Sequence, residues 1–111
     1  MTLGGNQASL KEIISPYLEI AGVFSVALAT TEGLLVSVAG ENGVRMEAVA
    51  ALAAGSLTNI AALAAELGDH LRIMGFDFHR QGLIIAPLTR EVFLILLGSE
   101  DILELIKPSG F

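Results

Sequence analysis

The stretch MEAVAALAAGSLTNIAALAAELG, residues 46–68, holds the longest helical pattern in the chain. Between Glu47 and Glu66 it carries no charge, and nine of the eighteen residues are alanine. Such a run suits a membrane span, a buried helix with one solvated face, or a helix packed on both faces. Alanine adds little to membrane insertion and Ser56, Thr58 and Asn59 interrupt the centre, so the pattern disfavours a membrane span.

When its residues are placed around a helix axis at 100° per residue, this stretch shows two faces. The face predicted to lie on a sheet consists of Val49, Ala53, Ser56, Ile60, Leu63 and Leu67, flanked by Met46, Leu52 and Leu57. The opposite face is a ridge of mostly small residues: Glu47, Ala51, Ala54, Gly55, Thr58, Ala62 and Ala65. Alanine favours helix, so this ridge could simply be solvated. Small residues also let helices approach closely, and a second layer, most simply the same helix of a twin subunit, is the interpretation we adopt.

Strand patterns lie on both sides of this helix. VFSVALAT (23–30) and LLVSVAG (34–40) are joined by Thr31-Glu32-Gly33, which is typical of a β-hairpin. LIIAPL (83–88) and VFLILLG (92–98) are almost continuously apolar, so both of their faces are covered and they lie centrally in the sheet.

The stretch HLRIMGFDFH (70–79) has the pattern of an edge strand. It carries Arg72, Asp77 and His79, and charges are a common protection of sheet edges. Its apolar residues also change phase, which predicts a β-bulge near Gly75.

Shorter helices are predicted at the two ends of the chain. Ser9 and Glu12 form a capping-box pattern, after which Pro16 should kink the first helix and Gly22 end it. Asn42 or Gly43 can cap the long helix. Ser99 can cap a short last helix that Pro108 stops.

The element order is therefore α-β-β-α-β-β-β-α, which predicts one α+β domain with a five-stranded, mainly antiparallel sheet. We expect a disordered lead at residues 1–8, the domain at 9–107 and a tail at 108–111. The N-terminus has no basic region followed by an apolar run, so no secretory signal is predicted.

The composition limits the functions that the chain can have. Hydrophobic residues make up 53% and the mean hydropathy is +0.70, so surplus apolar surface should be covered by a membrane or a partner subunit. A net charge of −6 with scattered basic residues argues against nucleic-acid binding, which needs clustered lysine and arginine. The chain has no cysteine, which excludes disulfides, thiol catalysis and zinc–cysteine sites and suits a reducing cytoplasm.

Catalytic and metal-binding patterns are weak. Neither a phosphate-binding loop nor a GxSxG motif is present. Asp77 and His79 share a strand face, but without a third ligand they are better explained as a solvated edge. Glu32 and Glu91 as a carboxylate pair, or Arg90 on a phosphate, have no support over ordinary solvation of turns. We therefore predict no catalytic residue, no metal site and no cofactor.

Three stretches together resemble the Roadblock (dynein light-chain) family: SVALATTEGLLVSVAG, MEAVAALAAGSLTNIAALAAELG and FHRQGLIIAPLTREVFLILLG. They match its hairpin with an acidic turn, its long helix of small residues and its final β-meander. The run with Ala51, Ala54 and Gly55 most resembles the bacterial type, typified by gliding-motility protein B.

The resemblance implies a profilin-like Roadblock sandwich with strand order 2-1-5-4-3. It also implies a homodimer in which the edge strands pair into one sheet and the long helices pack side by side. The edge-strand part of that interface would contain Arg72, Met74, Phe76, Asp77 and Phe78, and the helix part would be the small-residue ridge.

The family regulates or scaffolds small Ras-like GTPases, so the resemblance implies a dimeric, cytoplasmic regulator that binds such a GTPase and modulates GTP hydrolysis. One alternative is a purely structural dimerisation module of a signalling or motor complex. Another is a small metal-dependent enzyme centred on Asp77 and His79. Pro16 departs from the family pattern because it interrupts a helix that is usually continuous, and we expect this chain to lack the longer C-terminal tail of some bacterial members.

Overall fold

The sheet follows the predicted order. The computed structural model describes residues 10–40 and 44–106, and in that part of the chain its strands are β1 (Val23–Thr30), β2 (Leu35–Gly40), β3 (Met74–Asp77), β4 (Gly82–Pro87) and β5 (Val92–Gly98). They form one antiparallel sheet in the order β2-β1-β5-β4-β3. The α+β class and the strand order are thus confirmed. The central position of β5 explains its unbroken apolar run, because neighbours and covering layers surround it on all sides.

The predicted hairpin joins β1 and β2. Gly33 adopts a φ of +97°, a conformation that favours glycine, and the Thr30 N–H donates to the Leu34 carbonyl oxygen at 2.8 Å. This turn fixes the register, with Ala27 opposite Val38 and Leu28 opposite Ser37.

The predicted edge strand is shorter than its apolar pattern suggested. β3 spans only Met74–Asp77, and its pairing with β4 is regular, so the expected bulge near Gly75 is wrong. The apparent change of phase arises because Leu71 and Ile73 precede the strand. Gly75 serves packing instead, since a Cβ there would lie 3.0 Å from the Leu103 Cδ2 atom.

Two hydrophobic layers lie on the two faces of the sheet. Ala27, Ile85 and Phe93 face the long helix, whereas Val26 and Ile84 face the opposite layer. Neighbouring strand residues alternate between the layers, as the pleat requires.

The N-terminal helical segment changes character near Pro16, as expected. Residues 10–14 are α-helical, and the first 3-10 helix follows at Ser15–Glu19. The second 3-10 helix, Glu100–Leu105, stands where a short α-helix was predicted, and Ser99 precedes it without a capping side-chain bond. Both segments cover the sheet face opposite the long helix. The predicted roles of Ser9, Asn42, Gly43 and Pro108 lie outside the described residues.

The long helix spans Met46–Glu66 and ends near Gly68, which has a φ of +71°. The Gly68 N–H donates to the Ala65 carbonyl oxygen and the Asp69 N–H to that of Ala64, which closes the last turn. By length and composition alone this helix could cross a membrane, but a core helix passes the same test. It lies on the sheet through Met46, Ala50 and Leu57.

Candidate docking surface

The long helix is rotated relative to the sequence-based prediction. Its buried residues are Met46, Ala50, Ala53, Ala54 and Leu57. Three leucines predicted to lie on or beside the sheet face point outward instead: Leu52 is 74% exposed, Leu63 54% and Leu67 74%. Ser56 is exposed as well. Three alanines together with Met46 and Leu57 therefore form the contact with the sheet, whereas Leu52, Leu63 and Leu67 do not.

One flank of the helix faces the β3 side of the sheet across an apolar groove of about 280 Å³. Val49, Leu52 and Ser56 line it from the helix, and Phe76 and Phe78 line it from β3 and the residue after it. The two phenylalanine rings stack, with centroids 6.2 Å apart. The groove opens at the edge of the sheet and is bordered by exposed leucine, so it is a surface that an apolar partner would fill.

The other flank faces the β1–β2 turn. A Cβ at Gly33 would lie 3.3 Å from the Ala51 Cα and 3.7 Å from the Ala54 Cβ. Ala54 is only 5% exposed, so its predicted place on an outward ridge is wrong. Its burial follows from the close approach of this turn, which leaves room only for a methyl group.

The remaining residues of the small-residue ridge are exposed, but they do not all lie on the flank of the helix that faces β3. Gly55 has open space where a Cβ would be, and Ala62 is exposed on the outer side of the helix. Ala65 lines a second pocket, of about 510 Å³, at the C-terminal end of the helix. Glu47 and Thr58 are also exposed, although the Thr58 hydroxyl donates to the Ala54 carbonyl oxygen at 3.0 Å.

The predicted edge-strand residues fall into two groups. Met74 is buried in the core and Phe76 is half-buried, so these side chains support the strand. Arg72, Asp77 and Phe78 are exposed. The order of strands leaves one side of β3 unpaired within the described sheet, as the edge assignment required.

The polar residues considered for chemistry do not converge. Among residues 10–40 and 44–106, no group of three or more His, Asp or Glu side chains could hold a metal ion. The Thr31 N–H donates to the Glu91 carbonyl oxygen at 2.9 Å, which brings the turns of Glu32 and Glu91 together. Both glutamates are exposed, as turn residues usually are. Arg90 and His70 line the second pocket and are also exposed.

Sequence reasoning missed the helix side of the groove. Leu52 and Ser56 were predicted to lie on or beside the sheet face but are exposed and line the groove, whereas Val49 packs against the core as predicted and also lines the groove. A signal was present, because Leu52, Leu63 and Leu67 recur at helical spacing and form a stripe of their own.

Comparison with known proteins supports the fold. The Roadblock/LC7 domain family matches residues 10–98. MglB of Myxococcus xanthus shares 19% sequence identity with a TM-score of 0.77, over 83% of this chain and 71% of that one. The gliding protein MglB of Thermus thermophilus shares 20% identity with a TM-score of 0.75, over 86% and 74%.

A Roadblock/LC7 domain from Streptomyces avermitilis shares 19% identity with a TM-score of 0.74, over 82% and 78%. No curated protein matches the sequence. At these identities the solved structures bear on the fold alone, whereas the family match covers most of the chain. The chain belongs to the Roadblock/LC7 family.

Proposed function

We propose that this protein is a homodimer that binds a small Ras-like GTPase and regulates its GTP hydrolysis cycle. The observation that carries the proposal is the apolar groove between the long helix and β3, next to an unpaired strand edge. A second copy related by a two-fold axis would pair β3 with β3 and bring the two long helices side by side.

The exposed apolar side chains support this arrangement. Leu52 and Phe78 stand at opposite walls of the groove, and a partner's equivalent residues would cover them. A row of large apolar side chains along one flank is unusual for an isolated chain and typical of an interface core. Main-chain hydrogen bonds between the two β3 strands would fix the relative orientation of the subunits, which apolar contacts alone do not specify.

The regulatory part of the proposal rests on family membership and on the similarity to MglB proteins. We propose that the protein acts through a surface and not through chemistry of its own. That surface is the outer side of the paired helices, where Gly55 and Ala62 expose backbone and methyl groups to an incoming protein. Small residues permit close approach of a partner's element.

The test is GTP turnover by a small Ras-like GTPase from the same genome, with and without the purified protein. We expect faster hydrolysis in its presence. The effect should rise with protein concentration over the same range in which the dimer forms. Nucleotide exchange is measured in parallel. Binding without a change in either rate would identify a structural dimerisation module, and no binding in either nucleotide state would refute the regulatory proposal.

A variant pair makes the test sharper. Ala62→Glu places a charge on the proposed outer surface, and should weaken the effect on turnover while leaving the dimer intact. Leu52→Glu places the same charge in the groove, and should abolish the effect by separating the subunits, because a buried unpaired charge costs several kcal/mol.

A further inference from the structure

The strand at the other edge of the sheet, β2, is unusual in its composition. Its six residues, Leu35–Gly40, include neither a charged residue nor a proline. By contrast, β3 ends at the exposed Asp77 and is soon followed by His79 and Arg80. Natural sheets protect their edges with charges, proline, bulges or covering segments, because unpaired main-chain groups bind other strands.

The free side of β2 is regular over most of its length. The β1–β2 pairing skips Val36, which makes a bulge at the start of β2, whereas the four pairs from Ser37 to Gly40 are consecutive. In the described part of the sheet, β1 is the only neighbour of β2. Antiparallel pairing turns alternate residues of an edge strand away from its neighbour, so N–H and C=O groups of β2 point outward.

Apolar side chains stand on both sides of this edge. Val38 packs on the layer of the long helix and Val36 on the opposite layer, and both keep part of their surface exposed. Leu34, directly before the strand, is 64% exposed. A strand added here would therefore find apolar contacts for alternate side chains on either face of the sheet.

We propose that β2 binds an extended segment of another protein as a sixth strand, and that this segment has alternating apolar residues flanked by lysine or arginine. The proposal does not depend on dimerisation, since β3 and β2 lie at opposite edges. In a dimer joined through β3, each outer end of the continuous sheet would offer one such edge.

Charge around β2 selects a basic segment. The turn before β2 carries Glu32, and the two elements in contact with β2, the first 3-10 helix and the long helix, carry Glu19, Glu47 and Glu66 but no lysine or arginine. All four carboxylates are exposed, and Arg45 immediately precedes the long helix. A second copy of the chain would bring the same acidic surroundings together, which disfavours β2–β2 pairing and favours a partner of opposite charge.

Hydrogen exchange of the full chain tests the proposal. The probe is a decapeptide in which valine and threonine alternate over six positions between paired lysines. We expect its addition to slow exchange of the amides in 35–40 and to leave those in 74–77 unchanged. The same peptide with paired glutamates should bind more weakly, and salt should reduce the difference. Protection elsewhere, or none, would overturn the proposal.

Substitutions provide the matched control. Ser37→Lys places a charge in the middle of the edge, and Asn59→Lys adds the same charge on the exposed side of the long helix. We expect Ser37→Lys to weaken peptide binding about tenfold or more and Asn59→Lys to leave it within about twofold. Equal effects of the two substitutions on peptide binding would refute a role for the β2 edge. The proposal would also be refuted if the wild type self-associates, Ser37→Lys abolishes that self-association, and the peptide does not compete with it. Because the exchange map uses the wild type, the test stands even if Ser37→Lys fails to fold.

Discussion

Replacing Leu57 and Leu63 separately by alanine tests the rotation of the long helix. The two leucines are on the same helix, and sequence periodicity placed both of them on or beside the sheet face. The structure separates them: Leu57 is 6% exposed and belongs to the core cluster, whereas Leu63 is 54% exposed. The two substitutions remove the same atoms, so any difference between them reports the environment of the side chain.

The expected magnitudes follow from burial. Leu57→Ala should lower the free energy of unfolding by about 2–5 kcal/mol, since it removes buried methyl groups and leaves a cavity. Burying a whole leucine side chain contributes about 1.5–3 kcal/mol, and more than half of Leu63 is already in water. Leu63→Ala should therefore cost less than about 1 kcal/mol in the isolated subunit, partly offset by the higher helix propensity of alanine.

Urea unfolding followed by circular dichroism measures both values, provided that the slope with denaturant is unchanged. Both leucine variants are also made in a chain that carries Leu52→Glu, which should prevent dimer formation. The unfolding free energy then reports the stability of the isolated subunit, without any contribution of Leu63 to the proposed dimer. Equal costs for the two leucines would show that the helix is seated as the sequence pattern predicted, and that the groove does not exist as described.

Three further predictions concern single positions. Gly98→Ala should destabilise the protein by several kcal/mol in the same unfolding assay, because its Cβ would meet the Gly22 carbonyl group and lie 2.8 Å from the Ile102 Cγ2 atom. A neutral effect would contradict the packing of Gly98 against these two residues. Gly55→Ala should raise the free energy of unfolding by about 0.5–1 kcal/mol, since the space around it is open, and a loss of stability would reveal a close contact at Gly55. His79→Ala should leave the metal content, measured by elemental analysis, unchanged. A loss of bound metal would instead support a metal site at Asp77 and His79.

The strands could be predicted well because their signals are local. Val23–Thr30 and Val92–Gly98 agree with their apolar runs residue for residue, and Gly33 marks the turn through its positive φ. The length of β3 could not be predicted, because Leu71 and Ile73 are apolar for contacts made outside the strand.

The orientation of the long helix was hidden by its composition. A helix with apolar residues on every side offers more than one plausible stripe, and larger side chains are the natural choice for the core. The deciding factor is distance, since the β1–β2 turn lies close to Ala51 and Ala54 and Ala54 is buried beneath it. That factor depends on tertiary contacts, which local periodicity does not contain.

The mass in solution of the wild type, Leu52→Glu and Ala62→Glu, measured by light scattering, tests the central claim most directly. The proposal of a dimer through the β3 flank predicts twice the 11.6 kDa chain mass for the wild type and Ala62→Glu, and a single chain for Leu52→Glu. A monomeric wild type would contradict the proposed homodimer. Dissociation by Ala62→Glu but not by Leu52→Glu would instead place the interface on the small-residue ridge and contradict the assignment to the groove.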